Sequence, residues 1–521
     1  MKKRLALFLS LLMLLAVFTG CGSKDTGTPD SQNGGSQSGT TPSGKQTDDK
    51  KPSRDTLRMA VTETFLSTDP HFRSLIVDSR LTALTYERFF YVNDSMELIP
   101  QLAESYEVSE DGRVYTYHMI KGAKFHNGEE VRASDAVFSY KRAQTSPTQY
   151  DSVEFIDKVE ALDDYTVQIT LSQISPTFDV YANYVAIVSE KAVTGAPDKY
   201  EVLPAGSGPY TIESWKGDEK VVLKRFPDYH GKTPAIETIE YIVLGDTSSA
   251  LMAFEAGEID YISVPKAEWP RISESGLYET ALIPSTHTTF FCFNTKKAPF
   301  TDVRVRQAVN YAVNRKDVLY GAVDNLGDVA CQIGVPVLTF GCPKPEETFV
   351  YEYNPEKAKE LLTEAGYPDG LTLPEKAGTQ AGNHFQAASE IVQAQCAEAG
   401  IHFDMEIIDS AVYGDRIFSG NFLFQIWGIS EGPDASTFRR VYGTGGDLNC
   451  SHYSNTRVDE LFDMAANTVV SADREKYFHE IYDIVNEEAA YLPLYWQRNC
   501  YAWNKDLNAD PYRPKAEWSW K

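Results

Sequence analysis

The chain lacks the local motifs that carry most nucleotide, metal and acyl-transfer chemistry. No Walker-type phosphate loop occurs, no G-x-G-x-x-G follows a strand pattern, and neither H-E-x-x-H nor G-x-S-x-G is present. Histidine is scarce, with 9 scattered residues in 521. Catalytic groups can be assembled in space from distant segments, but no segment here favours catalysis. We therefore expect no catalytic residue, no metal site and no cofactor.

Positive charge is also in short supply. The 49 Lys and Arg residues face 74 Asp and Glu, which gives a formal net charge of −25. Such acidity disfavours binding to nucleic acid, whose phosphates attract cations, and it disfavours adsorption on anionic lipid. We expect no nucleic-acid partner and a largely solvated acidic surface.

None of the 7 cysteines forms a C-x-x-C pair. Export from the cytoplasm would permit disulfides, and Cys331 with Cys342 brackets a short loop rich in Pro and Gly. A disulfide between these two is therefore plausible, free buried thiols are the alternative for the others, and connectivity cannot be read from sequence.

No apolar run is long enough to span a bilayer, which takes roughly 20 residues. The apolar stretch at residues 5–18 follows Lys2, Lys3 and Arg4 and precedes Thr-Gly-Cys21. This layout predicts a cleaved signal peptide. Cys21 resembles the lipidated cysteine of a bacterial lipobox, although Phe18 stands where Leu is usual; an incidental cysteine is the alternative. The polar stretch at 22–54 cannot bury enough apolar surface to fold, so we expect a flexible tether.

The remaining residues, 55–521, exceed what one hydrophobic core usually supports, so at least two lobes are expected. Period-2 alternation predicts strands at 113–120 and 165–171. An apolar stripe at i, i+3, i+4, i+7 and i+8 predicts a helix at 305–313. A second helix is predicted at 354–366, with Asn354 as its N-cap and Gly366 as its end. Mixed strand and helix order favours α/β lobes with a cleft between them.

Several motifs then occur in an order typical of one family. They are 98–106 (LIPQLAESY), 124–129 (KFHNGE), 133–137 (ASDAV), 206–210 (GSGPY), 294–306 (NTKKAPFTDVRVR), Asn354-Pro355 and 453–455 (YSN). Together they resemble the extracellular solute-binding proteins of ABC importers, a family that includes oligopeptide-, dipeptide-, nickel- and some sugar-binding members. The resemblance implies an α/β, bilobal, periplasmic-binding-protein-like fold with an extra N-terminal subdomain and a ligand cleft between the lobes.

That fold implies a chain that leaves lobe I and later returns to it. The expected division is a signal peptide (1–20), a lipid-anchored disordered linker (21–54), a first segment of lobe I (55–98), the extra subdomain of lobe I (99–206), a second segment of lobe I (207–292), lobe II (293–491) and a return to lobe I (492–521).

In peptide-binding members of the family, a segment near the second crossing supplies backbone groups to an extended peptide, and an Asp there pairs with the ligand ammonium. The matching stretch here is 427–438, and Glu431 occupies the place of that Asp. Glu is one methylene longer, and a charge pair in a closed cleft depends strongly on distance. Asp434 is the alternative carboxylate, and Glu431 as a mere loop charge is the other alternative.

Further ligand contacts are expected at the crossings. Gln425, Trp427, Gly428 and Ile429 form the candidate strand end, which would pair with a ligand backbone. Aromatic residues that could line pockets, or else pack in the core or hinge, are Phe65, Phe290, Trp427, Tyr495 and Trp496. Arg498 or Arg416 could pair with a ligand carboxylate, although a structural or surface role is the alternative for each.

The resemblance therefore predicts a monomeric binding protein, anchored by lipid on Cys21 to the outer face of the cytoplasmic membrane. It would capture short peptides by hinge closure and deliver them to ABC permease and ATPase subunits. Alternatives are the same fold with a non-peptide solute, such as an oligosaccharide, a nickel chelate or another amine-bearing solute, and a peptide sensor without transport.

Overall fold

The structure, a computed structural model, describes residues 55–72, 75–93, 97–196, 206–381, 384–430 and 432–507. The predicted signal peptide, the predicted linker with Cys21, and residues 508–521 of the predicted return segment lie outside the described residues. In the part of the chain that is described, no helix combines the length and apolar character needed to cross a membrane.

The strands, in chain order, are β1 (Thr56–Val61), β2 (Phe90–Val92), β3 (Leu98–Pro100), β4 (Ala103–Val108), β5 (Val114–Met119), β6 (Ile156–Asp163), β7 (Thr166–Leu171), β8 (Tyr210–Lys216), β9 (Lys220–Arg225), β10 (Thr238–Val243), β11 (Tyr261–Ser263), β12 (Tyr278–Phe293), β13 (Gly327–Val329), β14 (Leu371–Thr372), β15 (Ala377–Gln380), β16 (Ile401–His402), β17 (Met405–Ile408), β18 (Phe424–Ser430) and β19 (Tyr491–Asn504).

The α-helices are α1 (Ile76–Thr85), α2 (Ala133–Ala143), α3 (Tyr150–Val153), α4 (Phe178–Tyr181), α5 (Glu190–Gly195), α6 (Thr247–Glu255), α7 (Trp269–Glu274), α8 (Val303–Ala312), α9 (Arg315–Val323), α10 (Pro355–Glu364), α11 (His384–Glu398), α12 (Ser410–Phe418), α13 (Arg439–Tyr442), α14 (Thr456–Ala466) and α15 (Ser471–Glu487). Short 3₁₀ turns occur at Ala182–Tyr184, Lys266–Glu268, Pro345–Glu347 and Ala435–Phe438.

Two long strands hold the main sheet together. The sheet runs in the order β17-β15-β18-β12-β19-β11-β1-β10-β9-β8, with β13 added beside β19. β12 and β19 have 16 and 14 residues and pair antiparallel along most of their length. β19 then pairs with β11 near its C-terminal end, whereas β12 pairs with β18 along its C-terminal half. The two strands therefore belong to both halves of the sheet.

Separate apolar cores lie along the two halves. Two cores lie around β1, β10 and β11: the first is built from residues between 57 and 241, and the second from residues between 250 and 502. The other pair is built from residues between 290 and 495, around β18 and helices α8 to α15. This is the mixed α/β, bilobal fold that the sequence predicts, so the predicted fold class is confirmed.

A smaller antiparallel sheet, in the order β4-β5-β7-β6, stands apart from the main one. Its core is built from residues between 89 and 187. Phe89 stacks on Tyr117 with ring centroids 4.4 Å apart, and the Tyr140 hydroxyl donates a 2.9 Å hydrogen bond to the Ala182 carbonyl. Burial of such rings with a satisfied hydroxyl stabilises a small core strongly.

The helix predictions are confirmed to within a few residues. α8 begins after Asp302, whose carboxylate accepts the Arg304 N–H at 2.9 Å. α10 begins at Pro355 after Asn354, whose side chain accepts the Lys357 N–H at 3.0 Å. Both caps satisfy N–H groups that the helix cannot satisfy itself. Gly366 has the positive φ of 97° that suits glycine just past a helix end.

A largely buried ion pair between Arg58 and Asp260 joins strands at the centre of the main sheet. The Asp260 carboxylate accepts the Arg58 backbone N–H at 2.8 Å, and the Arg58 guanidinium donates to both of its oxygens at 3.0 and 2.7 Å. Asn504 adds a contact of 3.2 Å from β19. The Asp260 carboxylate hydrogen bond raises the pKa of Arg58 above its usual value. Three strands, β1, β11 and β19, are joined through this one carboxylate.

We expect Asp260→Ala to lower the free energy of unfolding by about 2–3 kcal/mol, because it leaves a half-buried guanidinium and a backbone N–H without their acceptor. Chemical denaturation measures this loss. Glu268→Gln is the matched control, since Glu268 pairs with Arg271 at the exposed surface, and we expect no measurable shift in its transition. Equal stability of Asp260→Ala and wild type would contradict a structural role for the pair.

Candidate ligand site at the strand crossing

The pairing of β12 with β19 changes register near the middle of the two strands. Pro284 pairs with Arg498, and the next registered pair is Thr288 with Trp496. Residues 285–287 of β12 thus face a single residue of β19, which is a bulge that bends the strand and re-aims its side chains. A second, smaller shift in register lies between Thr289, which pairs with Tyr495, and Phe290, which pairs with Pro493.

The bulge lies where the two halves of the sheet meet. Gln497 is the residue of β19 that faces it. On the other side of β12, His287 pairs with Ser430, the last residue of β18. Side chains from both halves can therefore converge at this point.

Five polar side chains come together at this bulge: Lys266, His287, His384, Tyr495 and Gln497, here called the crossing cluster. The Lys266 ammonium donates to Gln497 Oε1 at 2.8 Å, and the Gln497 amide nitrogen lies 3.2 Å from His384 Nε2. His384 Nδ1 in turn lies 2.8 Å from the Tyr495 hydroxyl. Because Lys266 fixes which end of the Gln497 amide is the donor, His384 accepts at Nε2 and donates from Nδ1.

The second imidazole of the crossing cluster is less well satisfied. His287 Nδ1 lies 3.3 Å from the Ser430 hydroxyl, and the rings of His287 and His384 meet edge to face with centroids 6.5 Å apart. Within the described chain, His287 Nε2 is enclosed but has no hydrogen-bond partner. Enclosed polar groups of this kind are uncommon in proteins and cost free energy unless something pairs with them.

Burial sets the protonation of the crossing cluster. It lowers the pKa of His287 from 6.5 to about 4, with a smaller contribution from the Lys266 charge. Burial likewise lowers the pKa of His384 to about 4, again with contributions from Lys266 and His287. The pKa of Lys266 is also lowered by burial. Both imidazoles are therefore neutral near pH 7, and Lys266 carries the positive charge.

The end of β18 borders the crossing cluster. A side chain at Gly428 could not fit, because its Cβ would lie 2.4 Å from His287 Nε2. Trp427 stacks on Tyr413 with centroids 5.6 Å apart and meets the edge of Phe418. Its indole Nε1 is enclosed and has no partner among the described residues. Ile429 is half-buried against the core beside β18.

The other aromatic residues expected at the crossings are buried. Phe65 packs on Tyr241 and Trp215, with centroids 5.5 and 6.2 Å away. Phe290 packs edge to face on Tyr491. Trp496 donates from Nε1 to the Gln332 carbonyl at 3.2 Å. In this arrangement their side chains pack in the interior, and Tyr495 is the aromatic residue among them whose hydroxyl reaches the crossing cluster.

Gln425 is also enclosed. Its amide nitrogen donates to the Tyr413 carbonyl at 3.4 Å, and its side chain is fully buried. Its backbone lies between β12 and β15, so in this arrangement Gln425 is part of the sheet interior.

Both candidate arginines already have carboxylate partners. Arg498 makes a bidentate pair with Asp328 at 2.7 and 2.9 Å. Arg416 donates to Glu406 at 2.6 Å. A ligand carboxylate would have to displace these pairs, so the structure favours the structural alternative for each arginine.

Glu431 lies outside the described residues, so its role stays a prediction. Asp434, the alternative carboxylate, is buried and accepts from the Arg474 guanidinium at 2.8 and 3.0 Å. It also accepts the Ser436 N–H at 2.9 Å at the start of a 3₁₀ turn. Arg474 lies between the rings of Phe340 and Phe478. The Asp434 carboxylate is therefore paired within the chain, where it holds the segment that follows Glu431. It does not face a ligand ammonium.

The unit that contains the smaller sheet borders this segment and also the loop before α15. A Cβ on Gly432 would lie 3.4 Å from the Tyr181 hydroxyl, and a Cβ on Gly112 would lie 2.9 Å from a methyl group of Val469. Burial raises the pKa of Asp179, which is partly offset by the Arg474 charge. Residues of the β4–β7 unit thus border the loop after β18.

The disulfide suggested between Cys331 and Cys342 is wrong, because both are free, buried thiols. They pack in different clusters, Cys331 with Trp496 and Cys342 with Phe438. Burial raises the pKa of Cys331 to about 11 and of Cys342 to about 12, which makes both unreactive. The disulfide that forms joins Cys292 at the end of β12 to Cys450. Cys21 lies outside the described residues.

Sequence reasoning missed four members of the crossing cluster: Lys266, His287, His384 and Gln497. The first three come from a 3₁₀ turn, a strand bulge and a helix start that are far apart in sequence, so no spacing marks them. The available signals were the positions of His287, three residues before Phe290, and of Gln497, directly after Trp496, because the sequence already placed Phe290 and Trp496 at a crossing. Among the described residues, no group of three or more His, Cys, Asp or Glu side chains could hold a metal ion.

Taken together, two α/β halves joined by crossing strands, with a cluster of polar side chains at the crossing, have the architecture of a two-lobed solute-binding protein. Comparison with known proteins agrees. A family model described as bacterial extracellular solute-binding proteins, family 5 middle, matches residues 97–449. The chain therefore belongs to the family-5 bacterial extracellular solute-binding proteins, and the resemblance seen in its motifs is confirmed.

Individual relatives have low sequence identity to this chain, but they align with most of its length. Heme-binding protein A of Haemophilus influenzae is 28% identical over 436 residues, which cover 77% of this chain and 79% of that protein. The dipeptide-binding protein of Escherichia coli is 28% identical over 391 residues, 69% of this chain and 72% of that protein. Among solved structures, HbpA2 of Haemophilus parasuis has a TM-score of 0.77 at 23% identity and covers 86% of this chain and 96% of its own.

We expect Arg474→Met to destabilise the fold by about 3–5 kcal/mol, because it leaves the buried Asp434 carboxylate without its partner. Thermal and chemical denaturation measure the loss, and the double variant Asp434→Asn/Arg474→Met should recover part of it. Arg439→Met is the control, since Arg439 pairs with Asp463 at the surface. Equal losses in the single and double variants would argue against direct coupling.

Acid should weaken the fold between about pH 6.5 and pH 4. Burial lowers the pKa of His126, His287 and His384 to about 4. The unfolded chain therefore binds protons first as the pH falls, and stability present above pH 6.5 is lost across this window. Thermal midpoints at pH 7.5 and 5.0 measure the effect. His384→Gln should show a smaller drop than wild type, whereas exposed His402→Gln should match wild type; identical drops in all three would contradict the assignment.

Proposed function

We propose that the protein captures short peptides outside the cytoplasmic membrane and delivers them to the permease and ATPase subunits of an ABC importer. The observation that carries the proposal is the free edge of β18. β15 pairs with β18 at Gly378 and Gln425 alone, so on that edge residues 427–430 have no strand neighbour in the described chain. An exposed strand edge can take an extended peptide through main-chain hydrogen bonds.

Family membership supports the same function. A relative that aligns over most of this chain is named a dipeptide-binding protein. The free edge of β18 runs directly into Glu431, whose carboxylate would pair with the ammonium of a bound peptide. The backbone of Gly428 and Ile429 would supply the ladder, and Trp427 would pack against a ligand side chain. Main-chain pairing of this kind tolerates different side chains, which suits a transporter of mixed peptides.

The mechanism that we propose is closure of the two lobes about the β12–β19 crossing. Lobe I would comprise 55–98, 207–292 and 492–521, lobe II would comprise 293–491, and the 99–206 subdomain would border the cleft. We place the hinge at the bulge near His287 and at Gln497, a few residues before the predicted boundary at 292. A bulge is suited to this because the β12–β19 ladder is interrupted there and resists a change of angle less.

The rest of the predicted setting belongs to the same proposal. A diacylglyceryl group on Cys21 would hold the monomer at the outer face of the cytoplasmic membrane, and residues 22–54 would act as the tether. The body carries a large excess of acidic residues, so a covalent anchor would keep it near an anionic membrane that its own charge disfavours.

A second candidate ligand class is a non-peptide solute. A relative of similar identity and coverage is named a heme-binding protein, and Glu431 departs from the Asp of peptide-binding members. The same closure would then bury a different ligand in the same cleft.

The full-length protein purified without refolding should carry its ligand. We expect native mass spectrometry followed by fragmentation to release a series of di- to pentapeptides. We further expect Glu431→Gln to weaken binding of those peptides by roughly tenfold or more, because it removes a charge-assisted contact. N-acetylated versions of the same peptides should bind wild type and variant alike. A single non-peptide mass would overturn the peptide proposal in favour of the second candidate.

A further inference from the structure

Lys266 differs from the other cations that border the crossing. Arg498 pairs with Asp328, Arg416 with Glu406 and Arg474 with Asp434. In the described part of the chain, Lys266 pairs with no carboxylate, and its hydrogen-bond partner is the neutral Gln497 amide. A half-buried ammonium is normally paired, because its desolvation otherwise costs free energy. The Lys266 ammonium is therefore held in place by Gln497 without a carboxylate partner in the described residues.

His287, which lies beside Lys266, shows the same imbalance, because its Nε2 is enclosed without a partner in the described residues. An imidazole nitrogen of His287 can donate when it carries the proton. Within the described residues, the site therefore holds one cation and one unpaired nitrogen, and no carboxylate contacts its Lys266, His287 or His384 side chains. A negatively charged hydrogen-bond acceptor would neutralise the Lys266 ammonium and would also pair with an imidazole N–H of His287.

We propose that the crossing cluster is the subsite for a small oxyanion of the ligand, a carboxylate or a phosphate group, with Lys266 as its principal charge. This rests on the proposed capture function and sharpens it, because it makes the favoured ligand anionic at the end that lies against the hinge. Lys266 comes from lobe I, and His287 and Gln497 come from the strands between the lobes, where His384 of lobe II accepts the Gln497 amide. An anion bound to Lys266 and His287 would join a lobe I side chain to these strands and thus favour the closed state.

The assignment also explains why both imidazoles are kept neutral. A neutral His287 can present a donor without adding a second positive charge next to Lys266 in the empty protein, and a neutral His384 can accept the Gln497 amide at Nε2. Once an anion is bound, its charge raises the pKa of His287 above the value that burial and Lys266 impose. An imidazole that takes up a proton in this way adds positive charge to the subsite, and the anion is then bound more tightly.

The experiment compares matched ligands on the full-length protein by isothermal titration. The probes are short peptides of one sequence with a free C-terminal carboxylate, the same peptides as C-terminal amides, and sodium acetate and sodium phosphate as free oxyanions. The variants are Lys266→Met and, as control, Lys297→Met, since Lys297 is a half-exposed lysine that pairs with Glu375 at 3.3 Å and is not part of the crossing cluster. Thermal midpoints confirm that each variant is folded.

The expected result is that Lys266→Met weakens the free-acid peptides by roughly tenfold to a hundredfold, the scale of one hydrogen bond to a charged group. Amidated peptides should bind wild type and Lys266→Met equally, and Lys297→Met should match wild type throughout. If free acids and amides bind equally well to both proteins, the anion subsite is overturned while peptide capture stands.

The free oxyanions separate the two proposals if no peptide binds at all. Binding of acetate or phosphate to wild type that is lost in Lys266→Met would support the subsite and overturn peptide capture, and the preferred ion would identify the chemistry. Absence of any anion binding, in a protein that also binds no peptide, would overturn both.

Discussion

The pairing of β12 with β19 is the interaction on which the rest of the molecule depends. These two strands lie in the middle of the main sheet, and each has neighbours from both halves of the chain. Every contact between the halves that runs through backbone hydrogen bonds passes along them. The ladder is regular except at the register shifts near His287, so a change in the angle between the halves costs least there.

The same bulge decides which side chains meet. By letting three residues of β12 face one of β19, it turns His287 toward β18 and leaves Gln497 between Lys266 and His384. Elsewhere in the protein, charges near the sheet are neutralised within the chain, as in the Arg58–Asp260 and Arg474–Asp434 pairs. At the crossing, no carboxylate of the described residues neutralises Lys266. A binding protein needs such a place, because a fully satisfied site would gain nothing from a ligand.

Sequence reasoning recovered the features whose signals are local. Helices α8 and α10 follow from apolar periodicity and from the Asp302 and Asn354 caps, and strands β5 and β7 follow from alternation. The two-lobed fold followed from motifs that are spread along the whole chain.

What the sequence did not show was which polar residues lack partners. Arg498 and Arg416 were reasonable candidates until Asp328 and Glu406 were found beside them, and Asp434 was a plausible ligand carboxylate until Arg474 was seen to hold it. Lys266 and His384 carried no signal at all, because their significance comes from a bulge and from a segment more than a hundred residues away. Pairing and burial are properties of the folded chain, and periodicity carries little information about either.

The position of β19 in the chain has a consequence for how the protein folds. β12 ends at residue 293 and its main partner begins at residue 491, so the central pairing closes a loop of nearly two hundred residues. Contacts of such long range are slow to form and favour a late folding transition. During synthesis the middle of the sheet must wait until β19 has emerged, nearly two hundred residues after β12. The chain is therefore expected to remain without its central ladder while that whole segment is synthesised.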